Sequence, residues 1–199
     1  MENKKTSVRV GFLASHNGTA FRKILEKSEG APVHIIPAVL ITNNRGAGCL
    51  DVAAEYDVSA FVVNKTTVGE ENIDRTIRDH LLEHKTDFVI LAGYMKKLGP
   101  ETLRAFSGRI LNSHPALLPK FGGQGMYGRR VHEAVIAAKE KESGVTVHLA
   151  TADYDEGPIV TQIKIPLADD ETLESLEERV KALEVDAYLQ AIAKLVLSS

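Results

Sequence analysis

Two polar side chains end an apolar stretch of the sequence in a pattern that suits acyl-transfer chemistry. In the run from Ile110 to Gly123, "ILNSHPALLPKFGG", Asn112 and His114 are two residues apart. Residues with this spacing share one face of an extended chain, and Pro115 favours an extended conformation for His114. Because an amide can donate to a developing oxyanion and an imidazole can carry a proton, the pair is a candidate catalytic site.

A carboxylate that would complete this set lies in the later turn "DYDEGP", residues 153–158. Aspartate and glycine are common turn residues, so a plain turn also explains this segment. In the functional interpretation, one carboxylate reaches back to His114 and raises the pKa of its ring by favouring the protonated form. By contrast, His148 is expected to be a satisfied structural residue on a strand.

A third polar stretch, "SHNGTAF" from Ser15 to Phe21, lies between the first predicted strand and the first predicted helix. Backbone N–H groups at a helix N-terminus bind anions, and Gly18 allows close approach. The stretch matches neither GxGxxG nor a P-loop. An ordinary turn capped by Asn17 and Thr19 therefore stays open beside a phosphate site. No spacing of histidines and carboxylates indicates a metal site.

The segments that must position these residues alternate between strands and helices. Strands are predicted at "SVRVGFLAS", "HIIPAVLITN", "AFVVN", "DFVILAG" and "RILNSH", with Pro37 making the second irregular, and one long helix covers "EENIDRTIRDHLLEHK". "GVTVHLAT" and "PIVTQIKIPL" predict a hairpin, and residues 123–131 are expected to be a long loop. The prediction is an α/β fold: an open, mostly parallel, Rossmann-like sheet with helices on both faces, an antiparallel C-terminal hairpin and a closing C-terminal helix.

Length and composition set the class of protein. The chain has 199 residues and a formal net charge of −3, which gives no polycationic surface for nucleic acid. We expect one domain, 1–199. Cys49 is the only cysteine, and no stretch is long enough to span a membrane. A cytoplasmic monomer or homodimer is expected, without a membrane or nucleic-acid partner.

The quoted segments resemble the folate-dependent formyltransferases. "NSHPALLPKFGG" is similar to the N-x-H-P-S-L-L-P signature of that family, and "GVTVHLATADYDEGPIVTQIKIPL" to the segment with its catalytic aspartate. "VGFLASHNGTAF", "ITNNRGAGCLDVA" and "LAGYMKKL" extend the resemblance over nearly the whole chain. It implies small-molecule substrates, 10-formyltetrahydrofolate as co-substrate and no metal. It also implies a phosphate- and ribonucleotide-binding half over 1–105 and a catalytic and folate-binding half over 106–199.

The resemblance also implies an acceptor. The short length favours formylation of glycinamide ribonucleotide in purine synthesis. The alternatives are an amino sugar nucleotide, an initiator aminoacyl-tRNA, or hydrolysis of formyltetrahydrofolate, and a nucleotide-binding module without catalysis is the alternative from another class. The tRNA enzyme is disfavoured because no basic surface is predicted.

Carried over position by position, the resemblance implies three groups of residues. The catalytic group is Asn112, His114 and Asp155. The phosphate- and ribonucleotide-binding group is Asn17, Gly18, Thr19, Lys120, Gly123 and Glu184. The folate-binding group is Tyr94, Met95, Lys96, Leu98, Asn112, Asp153, Tyr154 and Gly157.

Three positions depart from the family pattern and bear on the acceptor: Ala20, Glu70 and Val185. Ala20 removes a side-chain donor that relatives have beside the predicted phosphate site. We expect Arg129 or Arg130, on the long loop, to replace it, and His16 is another candidate.

Overall fold

The computed structural model describes residues 6–198. Its strands are β1 Ser7–Ala14, β2 His34–Thr42, β3 Ala60–Val62, β4 Phe88–Leu91, β5 Ile110–His114, β6 Glu142–Leu149 and β7 Ile159–Pro166. Its helices are α1 Thr19–Ser28, α2 Cys49–Glu55, α3 Lys65–Val68, α4 Ile73–Glu83, α5 Pro100–Ala105, α6 Arg129–Ala137 and α7 Leu173–Leu197, and a 3₁₀ turn, Glu70–Asn72, precedes α4.

The strands form a seven-stranded sheet in the order β3-β2-β1-β4-β5-β6-β7. Strand β1 pairs in parallel with β2 and β4, and β2 pairs in parallel with β3. The final pair, β6 and β7, is antiparallel. The predicted fold class is therefore confirmed. The irregularity expected at Pro37 is present: Val10 pairs with Pro37 but Gly11 pairs with Val39, which leaves one extra residue on β2.

The chain divides into two compact units, one ending at Leu111 and the other beginning at Asn112. In the first unit, β1 is buried over most of its length, which suits a strand covered on both faces. The amphipathic helix α1 buries Phe21 and Ile24, and the Phe21 ring lies 4.6 Å from the ring of Phe12. A side chain at Gly11 would collide with Leu81 of α4, so glycine permits this close packing.

In the second unit, α7 packs against β6, β7 and α6. Helix α7 begins after Thr172, whose hydroxyl accepts from the Ser175 N–H at 3.2 Å. Its central residues Tyr188, Ala191 and Ile192 are fully or almost fully buried. Within residues 6–198, no helix is long and apolar enough to cross a membrane.

Two secondary-structure predictions are wrong in detail. Residues 129–137 form helix α6 rather than the end of a long loop, with Val131 and Val135 buried one turn apart. The predicted helix over residues 70–85 begins with a 3₁₀ turn at residues 70–72, and the regular α-helix is shorter, from Ile73 to Glu83. The functional halves 1–105 and 106–199 stay a prediction.

Candidate active site

Four polar side chains of the second unit meet near the ends of β5 and β6. Asn112 Nδ2 lies 3.2 Å from His148 Nε2. Asp155 lies between the two histidines, with Oδ2 3.4 Å from His114 Nδ1 and Oδ1 3.4 Å from His148 Nε2. Both imidazoles are about 2% exposed. The structure therefore brings the predicted Asn112, His114 and Asp155 together and adds His148 to them.

The ring of His114 is held on both sides. Its Nε2 lies 2.7 Å from the carbonyl oxygen of Phe121, which can only accept, so Nε2 carries hydrogen and donates. In the neutral ring the lone pair is then on Nδ1, the nitrogen that faces Asp155. Burial lowers the pKa of His114 below its ordinary value, although the charge of Asp155 and the Phe121 carbonyl oppose this. Asp155 therefore favours the protonated ring, as expected, but desolvation of the ring outweighs the carboxylate and leaves the pKa of His114 lowered.

The Asp155 carboxylate is fixed by the backbone around it. Its Oδ2 accepts from the Gly123 N–H at 3.0 Å, and the residue has a left-handed backbone, φ 58°. Burial alone would raise the pKa of Asp155, but a hydrogen bond with His148, the charge of His114 and the Gly123 N–H together hold it below its ordinary value. Asp155 is therefore ionised at neutral pH.

His148 contacts the candidate catalytic residues, whereas the sequence predicts only a structural role for it. Its Nδ1 donates to the Leu149 carbonyl oxygen at 3.1 Å, so in the neutral ring Nε2 accepts from the Asn112 amide, whereas the hydrogen bond to Asp155 needs the Nε2–H of the imidazolium. This arrangement orients Asn112 and turns its second amide hydrogen away from His148. The sequence signal that could have identified His148 is its position, because it lies near the end of a strand that leads directly into the turn with Asp155.

The segment after β5 is anchored on β6 through Thr146, which is fully buried. The Thr146 hydroxyl accepts from the Leu118 N–H at 3.0 Å and donates to the Ala116 carbonyl oxygen at 2.7 Å. Gln162 of β7 donates to the Leu118 carbonyl oxygen at 2.9 Å. These bonds fix the backbone that carries the Phe121 carbonyl to His114.

The residues expected to bind the ribonucleotide in the second unit already have protein partners. Lys120 is 67% exposed and pairs with Glu140 at 2.8 Å. The N–H of Gly123 is used by Asp155. Glu184 accepts from the Ser113 hydroxyl at 2.6 Å, and Ser113 N–H donates to the Tyr188 hydroxyl at 2.9 Å.

The two arginines expected on a long loop are instead the first residues of α6. Arg129 forms ion pairs with Glu174 and Glu177 of α7, which tie the two helices together. The guanidinium of Arg130 lies 5.7 Å from the centre of the Tyr127 ring. A role for either arginine as a phosphate ligand stays a prediction.

The predicted phosphate loop lies in the first unit, at the N-terminus of the ten-residue helix α1. Gly18 has a left-handed backbone, φ 70°, and a side chain there would collide with Cys49, so glycine is required. Asn17 and Thr19 are exposed, and no side chain caps the helix. The capped turn that was the alternative interpretation is therefore absent at this helix terminus.

The predicted folate loop of the first unit follows β4. Met95 is 49% exposed, Lys96 is exposed and Tyr94 is half-buried, with its pKa raised by burial to about 12. Leu98 is only 7% exposed, so it presents little surface to a ligand.

The remaining predicted folate residues lie in the turn between β6 and β7. Asp153 and Tyr154 are exposed. Gly157 is buried, and a Cβ there would lie 1.7 Å from the Leu149 carbonyl oxygen, so its role in the structure is to let the turn close on β6. Among residues 6–198 there is no group of three or more His, Cys, Asp or Glu side chains that could hold a metal ion.

Comparison with known proteins supports the same kind of chemistry as the geometry of the site. The formyl transferase family matches residues 8–192, and the chain belongs to that family. It is 33% identical over 181 residues to phosphoribosylglycinamide formyltransferase of Haemophilus influenzae, which covers 90% of this chain and 83% of the relative. It is 35% identical over 188 residues to the chloroplastic phosphoribosylglycinamide formyltransferase of Vigna unguiculata, covering 94% of this chain.

Solved structures of similar proteins have the same fold as this chain. Glycinamide ribonucleotide transformylase 1 from Symbiobacterium toebii superposes with a TM-score of 0.83 at 33% identity, covering 94% of this chain and 86% of that one. The Coxiella burnetii phosphoribosylglycinamide formyltransferase gives a TM-score of 0.85 at 30% identity, covering 96% and 88%. The chain spans only 60% of the Vigna relative and 64% of the Arabidopsis thaliana relative.

Proposed function

We propose that this protein transfers the formyl group of 10-formyltetrahydrofolate to the amine of glycinamide ribonucleotide, a step of purine synthesis. The observation that carries the proposal is a cluster joined by successive contacts of 3.2–3.4 Å, from the Asn112 amide to His148, from His148 to Asp155 and from Asp155 to His114. The names of the relatives and solved structures support the same acceptor.

The reaction begins when the amine lone pair attacks the formyl carbon and the carbonyl electrons move to oxygen. The hydrogen of Asn112 Nδ2 that His148 does not use stabilises the oxyanion, as donors of this kind do in acyl transfer. Neutral His114 accepts the amine proton on Nδ1, and Asp155 stabilises the imidazolium that forms. The oxyanion then re-forms the carbonyl, the bond between the formyl carbon and N10 of the folate breaks, and N10 takes the proton from His114.

This sequence of steps assigns His114 a neutral resting state, which the lowered pKa of the buried ring supports. The sequence alone suggested a ring protonated from the start. A neutral ring is better suited to neutral pH, because it can take the proton that the attacking amine must lose.

Ligand contacts in each unit are part of the same proposal. In the first unit, the α1 N-terminus with Asn17, Gly18 and Thr19 would hold the ribonucleotide phosphate, and Tyr94, Met95 and Lys96 would contact the folate. In the second unit, Glu184 would accept from the ribose hydroxyls. A cytoplasmic location and a monomeric or homodimeric state belong to the proposal too.

The test is a transfer assay with purified protein, 10-formyltetrahydrofolate and glycinamide ribonucleotide, followed by the absorbance change of the folate. An amino sugar nucleotide and a water-only reaction are run in parallel. Turnover that depends on glycinamide ribonucleotide supports the proposal. Equal or faster turnover with another amine, or with water alone, would assign the protein to another reaction of the family.

A further inference from the structure

A buried serine of the first unit joins three loops that follow different strands. Ser15 is the first residue after β1 and is 3% exposed. Its hydroxyl donates to Asn43 Oδ1, directly after β2, at 2.6 Å. The same oxygen accepts from the Met95 N–H, in the loop after β4, at 2.9 Å. The donor and one acceptor position of this hydroxyl are thus both used, each by a different loop.

Backbone contacts hold the same loops together independently of the hydroxyl. Ser15 N–H donates to the Gly93 carbonyl oxygen at 3.2 Å, and Ala92 N–H donates to the Leu13 carbonyl oxygen at 2.8 Å. Because these bonds do not involve the Ser15 side chain, the strands can pair without it. The hydroxyl adds a constraint further along the loop, at Met95, where the exposed side chains begin.

The network also reaches the next loop along the sheet. Asn43, which accepts from Ser15, has a carbonyl oxygen that accepts from Asn64 Nδ2 at 3.0 Å. On the other side of Ser15, the His16 carbonyl oxygen accepts from the Cys49 N–H at the start of α2, at 3.0 Å. The loop after β1 is therefore tied to defined elements on both sides.

We propose that Ser15 is a positioning residue that couples two ligand loops of this unit, residues 15–18 and residues 92–99. The inference rests on the proposed function, in which the first loop takes the phosphate and the second contacts the folate. A ligand that orders one loop also orders the other through the shared hydroxyl. Binding of the second ligand therefore costs less conformational entropy. The coupling is reciprocal: each ligand tightens the binding of the other.

The first experiment measures the contact itself in the ligand-free protein. Removal of the hydroxyl in Ser15→Ala leaves the Met95 N–H without its acceptor, and hydrogen–deuterium exchange at that amide should accelerate roughly threefold to tenfold. Ser28→Ala is the matched control, because Ser28 is 2% exposed and its hydroxyl donates to the Leu25 carbonyl oxygen within α1, at 2.9 Å. Ser28→Ala should leave the Met95 exchange rate unchanged.

The second experiment measures coupling. Tetrahydrofolate, which has no formyl group to transfer, is titrated by calorimetry with and without glycinamide ribonucleotide. In the wild type and in Ser28→Ala the nucleotide should tighten tetrahydrofolate binding by about threefold or more, and in Ser15→Ala that enhancement should fall towards one. In turnover, Ser15→Ala should raise the KM for 10-formyltetrahydrofolate more than it lowers kcat, and Ser15→Thr, which keeps a hydroxyl, should recover part of the loss.

The outcomes separate this inference from the proposed function. If the wild type formylates glycinamide ribonucleotide but coupling is absent, or is equal in Ser15→Ala, the inference is overturned and the proposed function stands. If the wild type does not formylate that acceptor, the proposed function fails and the inference fails with it. Faster exchange at Met95 with unchanged coupling would also overturn it, leaving Ser15 a purely structural residue.

Discussion

Replacing Asp155 by asparagine removes one charge from the candidate active site and little else. Asparagine tolerates the left-handed backbone that Asp155 adopts at φ 58°. Its side-chain oxygen can still accept from the Gly123 N–H, as the carboxylate does at 3.0 Å. We therefore expect the Asp155→Asn variant to fold, so that a loss of activity reports on charge.

The size of the effect follows from the contact with His114. Two unit charges 3.4 Å apart attract each other by about 5 kcal/mol at an effective dielectric constant of about 20. The amide dipole keeps part of this stabilisation of the imidazolium. A loss of about 3–4 kcal/mol in the transition state corresponds to a roughly 10²–10³-fold lower kcat.

The pH–rate profile gives a second, independent readout. Burial lowers the pKa of His114 and Asp155 opposes that shift, so removal of the carboxylate lowers the pKa further. If the neutral ring is the active form, activity is lost as the pH falls through this pKa. The acidic limb of the kcat/KM profile should therefore move to lower pH in Asp155→Asn.

Glu156→Gln is the matched control, because it removes a neighbouring, exposed carboxylate from the same turn. It should leave kcat and the acidic limb unchanged, and thermal unfolding should confirm that both variants are folded. An acidic limb that stays in place or moves to higher pH in Asp155→Asn would refute the reasoning, as would wild-type turnover.

Three further predictions concern other parts of the chain. Asn112→Ala should lower kcat roughly 10²–10³-fold with little change in KM or thermal stability, since it removes an oxyanion donor; steady-state kinetics decide, and a rise confined to KM would speak against that role. Arg130→Ala should raise the KM for glycinamide ribonucleotide, whereas Arg129→Ala, which breaks ion pairs to α7, should not; equal effects would remove Arg130 as a phosphate ligand. Asp74→Ala should lower the free energy of unfolding by about 3 kcal/mol, measured in urea, because the carboxylate accepts three hydrogen bonds at the start of α5; a change below about 1 kcal/mol would contradict this.

Much of the fold could be predicted because the strands carry strong local signals. The apolar run of β4 and the two alternating runs that became β6 and β7 depend on periodicity and turn residues alone. Asn112 and His114 could be singled out for the same reason, since spacing along one strand fixes which side chains share a face. Helix α6 was missed although Val131 and Val135 have helical spacing, because the segment was interpreted by comparison with the family pattern, as a lengthened loop.

The electrostatics of the site could not be predicted, because they depend on burial and on partners distant in sequence. The sign of the His114 pKa shift is set by desolvation of a ring that is 2% exposed, and no local pattern gives that value. The role of His148 depends on a contact with Asn112, 36 residues away. The ion pairs of Arg129 with Glu174 and Glu177 arise only once α6 has packed on α7.

The position of Asp155 is determined by residues that do no chemistry. Gly157 allows the turn to lie against the Leu149 carbonyl oxygen, where any side chain would collide. A Cβ at Gly122 would lie 3.2 Å from the Asp155 Cβ and 2.5 Å from a methyl of Leu118, so glycine also lets the segment after β5 approach the turn. Only with both approaches does the Gly123 N–H reach the carboxylate. The glycines of "KFGG" and "DEGP" thus act together, and their shared function is to bring the carboxylate to His114.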